Sequence, residues 1–288
     1  CRRTAPSAAS RARPDTPESR ADNRRVRGYD AAMPALALEC AARNDIGRRA
    51  NNEDAVYTSS RLAAVADGVG GAAAGEVASQ RIVKSLAHFD TSRLEIPLDA
   101  ALENAIAYAN ESIGFIAGAR PQMQGMSSTL TAVALSNDGT YVVANIGDSR
   151  TYLLRAGELT QLSRDDSLVQ DLIDAGHLTP EQAKRHPARN VVMHALDGDP
   201  ERRPSTQLLP AQFGDRLLLC SDGLSDVVEF EALRELLLRY ADRGECADRL
   251  IATALEAGAR DNISAIVCDV VIREDPATAW QVPLVHER

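Results

Sequence analysis

Apolar residues along this chain follow two rhythms. Short, nearly unbroken runs rich in Val, Ile, Leu, Thr and Tyr predict strands at Leu36–Ala42, Ala55–Thr58, Leu62–Ala66, Ser128–Ser136, Thr140–Ile146, Thr151–Arg155, Gln207–Leu209, Arg216–Cys220 and Ile263–Val271. Turn signals such as Asn137-Asp138-Gly139 separate several of them. Helical spacing appears in Ala73–His88, Leu98–Ile116, Ser167–Ala175, Glu229–Tyr240 and Cys246–Ala257. In the fourth, Phe230, Leu233, Leu236, Leu237 and Tyr240 share one face. Strands come in runs broken by pairs of helices, without a repeated β-α alternation. That order predicts an α+β fold built on antiparallel sheets. Residues 1–33 are rich in Arg, Ala, Ser and Pro with no apolar period and are expected to be disordered; 274–288 reads as an irregular tail. The ordered domain is expected at 34–273.

Length and composition narrow the class. With 288 residues, 44% apolar and 25% charged, the chain can bury a core as one large domain or two small ones. No apolar run approaches the ~18 residues a bilayer span needs, and the start carries no hydrophobic signal core. It begins with Cys1, not Met, which leaves the true N-terminus open. Five scattered cysteines, never in a C-x-x-C pair, argue for reduced thiols in a cytoplasm and against a thiolate zinc cluster. Residues 1–30 hold eight Arg against four acids, which leaves −13 on the rest of a chain whose net charge is −9. So acidic a body argues against a nucleic-acid binder, which would need a basic stripe to displace counterions. Either its acids are solvating, or several converge on a cation.

The positions of those acids favour convergence. Four apolar strands run into aspartate: Leu62 to Asp67-Gly68, Val142 to Gly147-Asp148, Leu217 to Asp222-Gly223, and Asp261-Asn262 before the last strand. A strand end is a rigid mount, and glycine lets a ligand approach the backbone. Taken singly, an Asp-Gly is most often a turn or a cap. Gathered together, such carboxylates repel one another unless a cation lies among them. Oxygen-only ligands suit Mg²⁺ or Mn²⁺, not zinc or copper. A further cluster, Asp45 to Asp54, sets Arg49 near Glu53 and Asp54; Arg offers a fork of donors to phosphate oxygens, although an isolated cluster of this kind is more often a surface salt bridge.

In order and spacing these segments resemble the metal-dependent protein phosphatases of the PPM family, the type 2C serine/threonine phosphatases, in their bacterial form. The segments are Asp45-x-Gly47-x-Arg49-x-x-Asn52-Glu53-Asp54, Val65 to Gly71, Gly125 to Ala132, Ile146 to Arg150, Cys220 to Asp226, and Asp261 to Ser264, in register from about residue 38 to 271. Each is weak alone; six in order are specific. The resemblance implies two stacked antiparallel sheets flanked by helical pairs, an α-β-β-α sandwich with metals at one end. It implies that Asp67 bridges two ions, that Gly68 offers its carbonyl, and that Asp222 and Asp261 complete the first site. Glu53 and Asp54 would serve the second ion partly through water, Asp148 and Asp226 a third and weaker site, and Arg49 the phosphate. Arg49 and Asp67 are thus the expected catalytic residues.

The chemistry implied is hydrolysis of phosphoserine and phosphothreonine by a water held between two Mn²⁺ or Mg²⁺ ions, with no covalent intermediate. Cys220, on a buried strand, reads as a small hydrophobe. Two departures stand out. Val69 occupies the place where many eukaryotic members carry a histidine, and Ser127-Ser128 replaces the usual Gly-Thr. The segment Asp165 to Pro200 resembles the family's mobile flap, with a helix closed by Gly176 and a short one entered at Thr179-Pro180-Glu181. His177, His186 and His194 lie on it within possible reach of substrate, though a solvated role is the better expectation for each. Expected partners are phosphorylated Ser/Thr proteins, kinases and their substrates among them, and a monomer is expected. Two rival readings remain: a phosphatase dedicated to one partner-switch protein, and a silent phosphopeptide-binding module that keeps the fold.

Overall fold

The computed structural model describes residues 35–70, 73–91 and 96–273. Gly71, the segment 1–33 and the tail 274–288 lie outside the described residues, all of which belong to the unit Pro34–Arg288. In chain order the elements are β1 (Leu36–Asp45), β2 (Asp54–Thr58), β3 (Leu62–Val69), α1 (Ala73–Thr91), α2 (Leu98–Ala119), a 3₁₀ turn (Pro121–Met123), β4 (Ser127–Ser128), β5 (Leu130–Leu135), β6 (Thr140–Ile146), β7 (Arg150–Arg155), β8 (Glu158–Gln161), α3 (Leu168–Asp174), α4 (Pro180–Ala183), β9 (Ser205–Pro210), β10 (Arg216–Cys220), α5 (Asp222–Ser225), α6 (Phe230–Arg239), α7 (Arg243–Glu256) and β11 (Ile263–Ile272).

Two sheets form, in the orders β1-β11-β10-β7-β8 and β2-β3-β5-β6-β9, with the short β4 beside β3. All pairings are antiparallel. The period of two explains why the runs look unbroken. In β3, Leu62, Ala64 and Ala66 enter one core with α1 and α2, while Ala63 and Val65 enter a second. In β10, Leu217 and Leu219 join that second core, whereas Leu218 and Cys220 pack under α6 and α7. The second core therefore lies between the sheets, and each outer face is covered by a helical pair. Strands apolar on both faces belong in such a four-layer sandwich.

The topology brings distant segments to one end. Because β2 opposes β3 and β11 opposes both β1 and β10, the starts of β2 and β11 lie beside the ends of β1, β3, β6 and β10.

Three expectations change. The run Ser128–Ser136 is not one strand: it breaks at Thr129 into β4 and β5. Asp67 does not follow its strand but lies within β3, opposite Asp54; Asp222 follows β10 as expected and opens the short helix α5. Cysteine chemistry is corrected too. Cys40 and Cys268 face each other across the β1–β11 pair and are joined by a disulfide, so the reading of all five as reduced thiols fails. Cys220 and Cys246 are free and buried.

Candidate metal centre

Asp67 is held by Thr129 through both of its backbone polar groups. Its amide donates to Thr129 Oγ1 (3.2 Å) and its carbonyl accepts from the Thr129 amide (2.9 Å), while Thr129 Oγ1 shares a hydrogen bond with Ser149 Oγ (2.8 Å). The break after β4 thus places a hydroxyl against the strand that carries Asp67. Next to it, the Gly68 amide donates to the Glu53 carbonyl (3.1 Å), which also accepts from Ser79 Oγ (2.6 Å). A Cβ on Gly68 would lie 2.1 Å from the Gly75 carbonyl oxygen, so only glycine lets the start of α1 close on β3.

Asn262 clamps the loop that carries Arg49. Its Oδ1 accepts from the Glu53 amide (2.9 Å), and its Nδ2 donates to the carbonyls of Ile46 (3.0 Å) and Asn51 (2.9 Å). Arg49 itself donates to Asp261 Oδ2 at 2.6 Å. Between these elements opens a cavity of about 570 Å³. Of the nine expected site residues, Arg49, Glu53, Asp67, Gly68, Asp148, Asp222 and Asp261 line it.

Asp54 and Asp226 do not. Asp54 is buried behind Asp67 and accepts a hydrogen bond from Ser221 Oγ (2.8 Å). Asp226 lines a second cavity, of about 400 Å³, whose wall it shares with Asp148. None of His177, His186 and His194 lines the first cavity; from the segment they occupy, Asn190 and Val192 do. Val69 also lines it, so the apolar side chain stands where a histidine was the alternative.

Electrostatics mark the cavity as a cation site. Burial, then the neighbouring carboxylates, holds Asp67 and Asp222 well above the usual carboxylate range. Asp54 and Asp148 rise to about 6, again through burial first. Burial also raises Glu53 and Asp226. Asp54 Oδ1 and Asp222 Oδ1 are buried without a hydrogen-bond partner, an expensive state unless a ligand completes them. Among the described residues, Arg49 is the one basic side chain in the lining, which contains neither His nor Cys.

Among the described residues no three acidic, His or Cys groups close on one point. The arrangement is an open bowl, which fits Mg²⁺-like ions that keep several waters and take only one or two carboxylates each. Oxygen donors, uncompensated charge and orphaned oxygens together fit hard divalent cations.

Residues 43–258 match the family described as Protein phosphatase 2C. The chain belongs to that family. It is 48% identical over 241 residues to the serine/threonine protein phosphatase PstP of Mycobacterium tuberculosis, an alignment covering 83% of this chain and 46% of that protein. Against the serine/threonine phosphatase stp of Listeria innocua it is 36% identical, covering 79% and 94%. A crystal structure of the PstP catalytic domain in complex with two manganese ions superposes with a TM-score of 0.77 at 46% identity, covering 82% of this chain and 99% of that one. This family member thus spans about half the length of PstP and nearly all of the Listeria protein.

Sequence reasoning missed the supporting cast. Thr129 and Asn262 lie inside segments that carried the resemblance, yet nothing in their spacing assigned them a job. Asn190 and Val192 sit in an irregular return of the chain and obey no period at all.

Proposed function

We propose that this chain hydrolyses the phosphate monoester of phosphoserine and phosphothreonine in proteins, with Mn²⁺ or Mg²⁺ as cofactor. The observation that carries the reading is the bowl itself: acids from several strand ends and one arginine converge on a cavity free of His and Cys. Asp67, Asp222 and Asp261 would hold one ion, and Asp67 with the Gly68 carbonyl a second, with Glu53 reaching it through water. Asp148 and Asp226 would hold a third, weaker one. Bound there, the cations offset phosphoryl charge and acidify water.

The chain's own residues do the rest. Arg49, more than half exposed, turns from Asp261 to the phosphoryl oxygens, where its fork of donors matches two of them. Thr129 and Asn262 keep Asp67 and the Arg49 loop from drifting, as catalytic geometry requires. Asp54 is a positioning residue that supports the buried side of Asp67. Water adds to phosphorus, the ester oxygen departs, and with no histidine in the wall that oxygen takes its proton from water. Cys220 takes no part, since burial pushes its thiol up to about 12.

Mn²⁺-dependent release of p-nitrophenol from p-nitrophenyl phosphate, and of phosphate from phosphothreonine peptides, tests the reading. Hydrolysis undiminished in chelator contradicts it. The substrates of PstP and the Listeria protein, as their names state, are phosphorylated on serine or threonine, and kinases carrying such marks are the partners proposed here. A monomer in the cytoplasm suits that role. Thiol counting on acid-quenched cells tests the compartment, since a reducing cytoplasm would open the Cys40–Cys268 bond.

A further inference from the structure

Beyond Asp148 and Asp226, which would hold the third ion, the second cavity has a side that the phosphate chemistry leaves open. On one side stands α3, whose Val169 and Ile173 are one helical turn apart. Lining the cavity too are Tyr152 of β7, Val228 of the link between α5 and α6, and Phe230 and Leu233 of α6. No residue of α3 is fully buried, and Phe230 remains 40% exposed beside Tyr152, with ring centroids 6.1 Å apart. Tyr152, Val228 and Leu233 are themselves buried, so the apolar surface left open to this space of about 400 Å³ is that of Phe230, Val169 and Ile173.

Most of the charges in that wall are already engaged. Arg150 makes a forked pair with Asp165 at 2.6–3.0 Å, and Lys184 pairs with Glu229 across the mouth. Asp148, Asp226 and Arg189 complete the charged lining; away from them, beside Val169, Ile173 and Phe230, an apolar group leaves both pairs intact, whereas a charged one would compete for them. Position supplies the rest of the argument. Asp148 belongs to the walls of both cavities, so a chain whose phosphate enters the first passes the second within a few residues, at about 3.3 Å per residue when extended.

We infer that this cavity seats one apolar side chain of the phosphoprotein, Leu- or Phe-like, within about three residues of the phosphorylated position. The inference rests on the phosphatase reading and adds a sequence preference to it. Binding would finish the packing of α3 against the body, so that flap and substrate settle together.

The experiment is a panel of phosphothreonine peptides in an alanine background, with a single Leu, Phe, Glu or Lys placed at each of three positions on either side. It is run with Mn²⁺ beside p-nitrophenyl phosphate. At one position Leu or Phe should raise kcat/KM over Ala by roughly tenfold or more, mainly through KM. Ile173→Ser and Ile173→Trp, one stripping the wall and the other filling the space, should each erase that gain while p-nitrophenyl phosphate turns over at the wild-type rate. A flat panel, a gain for Glu or Lys in place of Leu and Phe, or a preference untouched by both variants overturns the inference and leaves the activity standing. Failure to hydrolyse p-nitrophenyl phosphate removes the activity, and the inference with it.

Discussion

At the scale of single residues, the account turns on carboxylates kept in an unfavourable place. Asp67→Asn and Asp261→Asn should each lower Mn²⁺-stimulated hydrolysis of p-nitrophenyl phosphate by at least ~100-fold, the scale on which losing a transition-state contact is felt. Circular dichroism should be unchanged. Arg49→Ala is expected to raise KM for phosphopeptides about tenfold while the Mn²⁺ affinity stays within a few-fold, because in the proposed role Arg49 would meet phosphate and not metal. Asp148 yields a pH test. Its folded pKa of about 6 lies above the unfolded 3.8, so what it contributes to stability is present below 3.8 and lost as pH rises through 6. In chelator, Asp148→Asn should therefore stabilise the protein at pH 7.5, by up to ~3 kcal/mol. That gain should fade between pH 6 and 4. A gain independent of pH, read from urea midpoints, would contradict the assignment.

At the scale of elements, close backbone approaches decide whether the acids reach one bowl. Gly223 opens onto β11: a Cβ there would lie 2.0 Å from the Asn262 carbonyl oxygen. Gly223→Ala should cost ~1–3 kcal/mol and weaken Mn²⁺ binding as well, since Asn262 clamps the Arg49 loop; urea unfolding and a metal titration read the two effects. Much of the architecture was legible because doubly buried strands leave unbroken apolar runs, and β6 and β10 fall where those runs predict. What escaped did so for physical reasons. Strand β8, Glu158–Gln161, buries only Leu159 and so leaves no alternating signal. The polar end of β1, through Asp45, is held by pairing with β11 and not by burial of its own. Helix α5 is a single turn, too short for any period. The site was legible in part for the same reason: Asp148, Asp222 and Asp261 flank apolar runs, while Asp67 is drawn into its strand by pairing with Asp54, a partner known only once β2 and β3 are in register.

For the whole molecule, one covalent tie spans nearly the entire domain. Cys40 and Cys268 are 228 residues apart and join β1, whose end leads to Arg49, to β11, whose start follows Asp261. Closing so long a loop restricts the unfolded chain by up to about 5 kcal/mol in the chain-entropy description. Cys40→Ser, or reduction, should lower the thermal midpoint by several degrees; equal midpoints with and without reductant would show that the bond contributes nothing. The helical pairs and both sheets together hold the acidic end rigid, and the central claim concerns that end. Its most direct measurement is an anomalous difference map from crystals grown with Mn²⁺. The account predicts at least two peaks in the bowl, with Asp67 between them and Asp222 and Asp261 around one. Manganese bound elsewhere, with the Asp67 carboxylate touching none of it, would contradict the account.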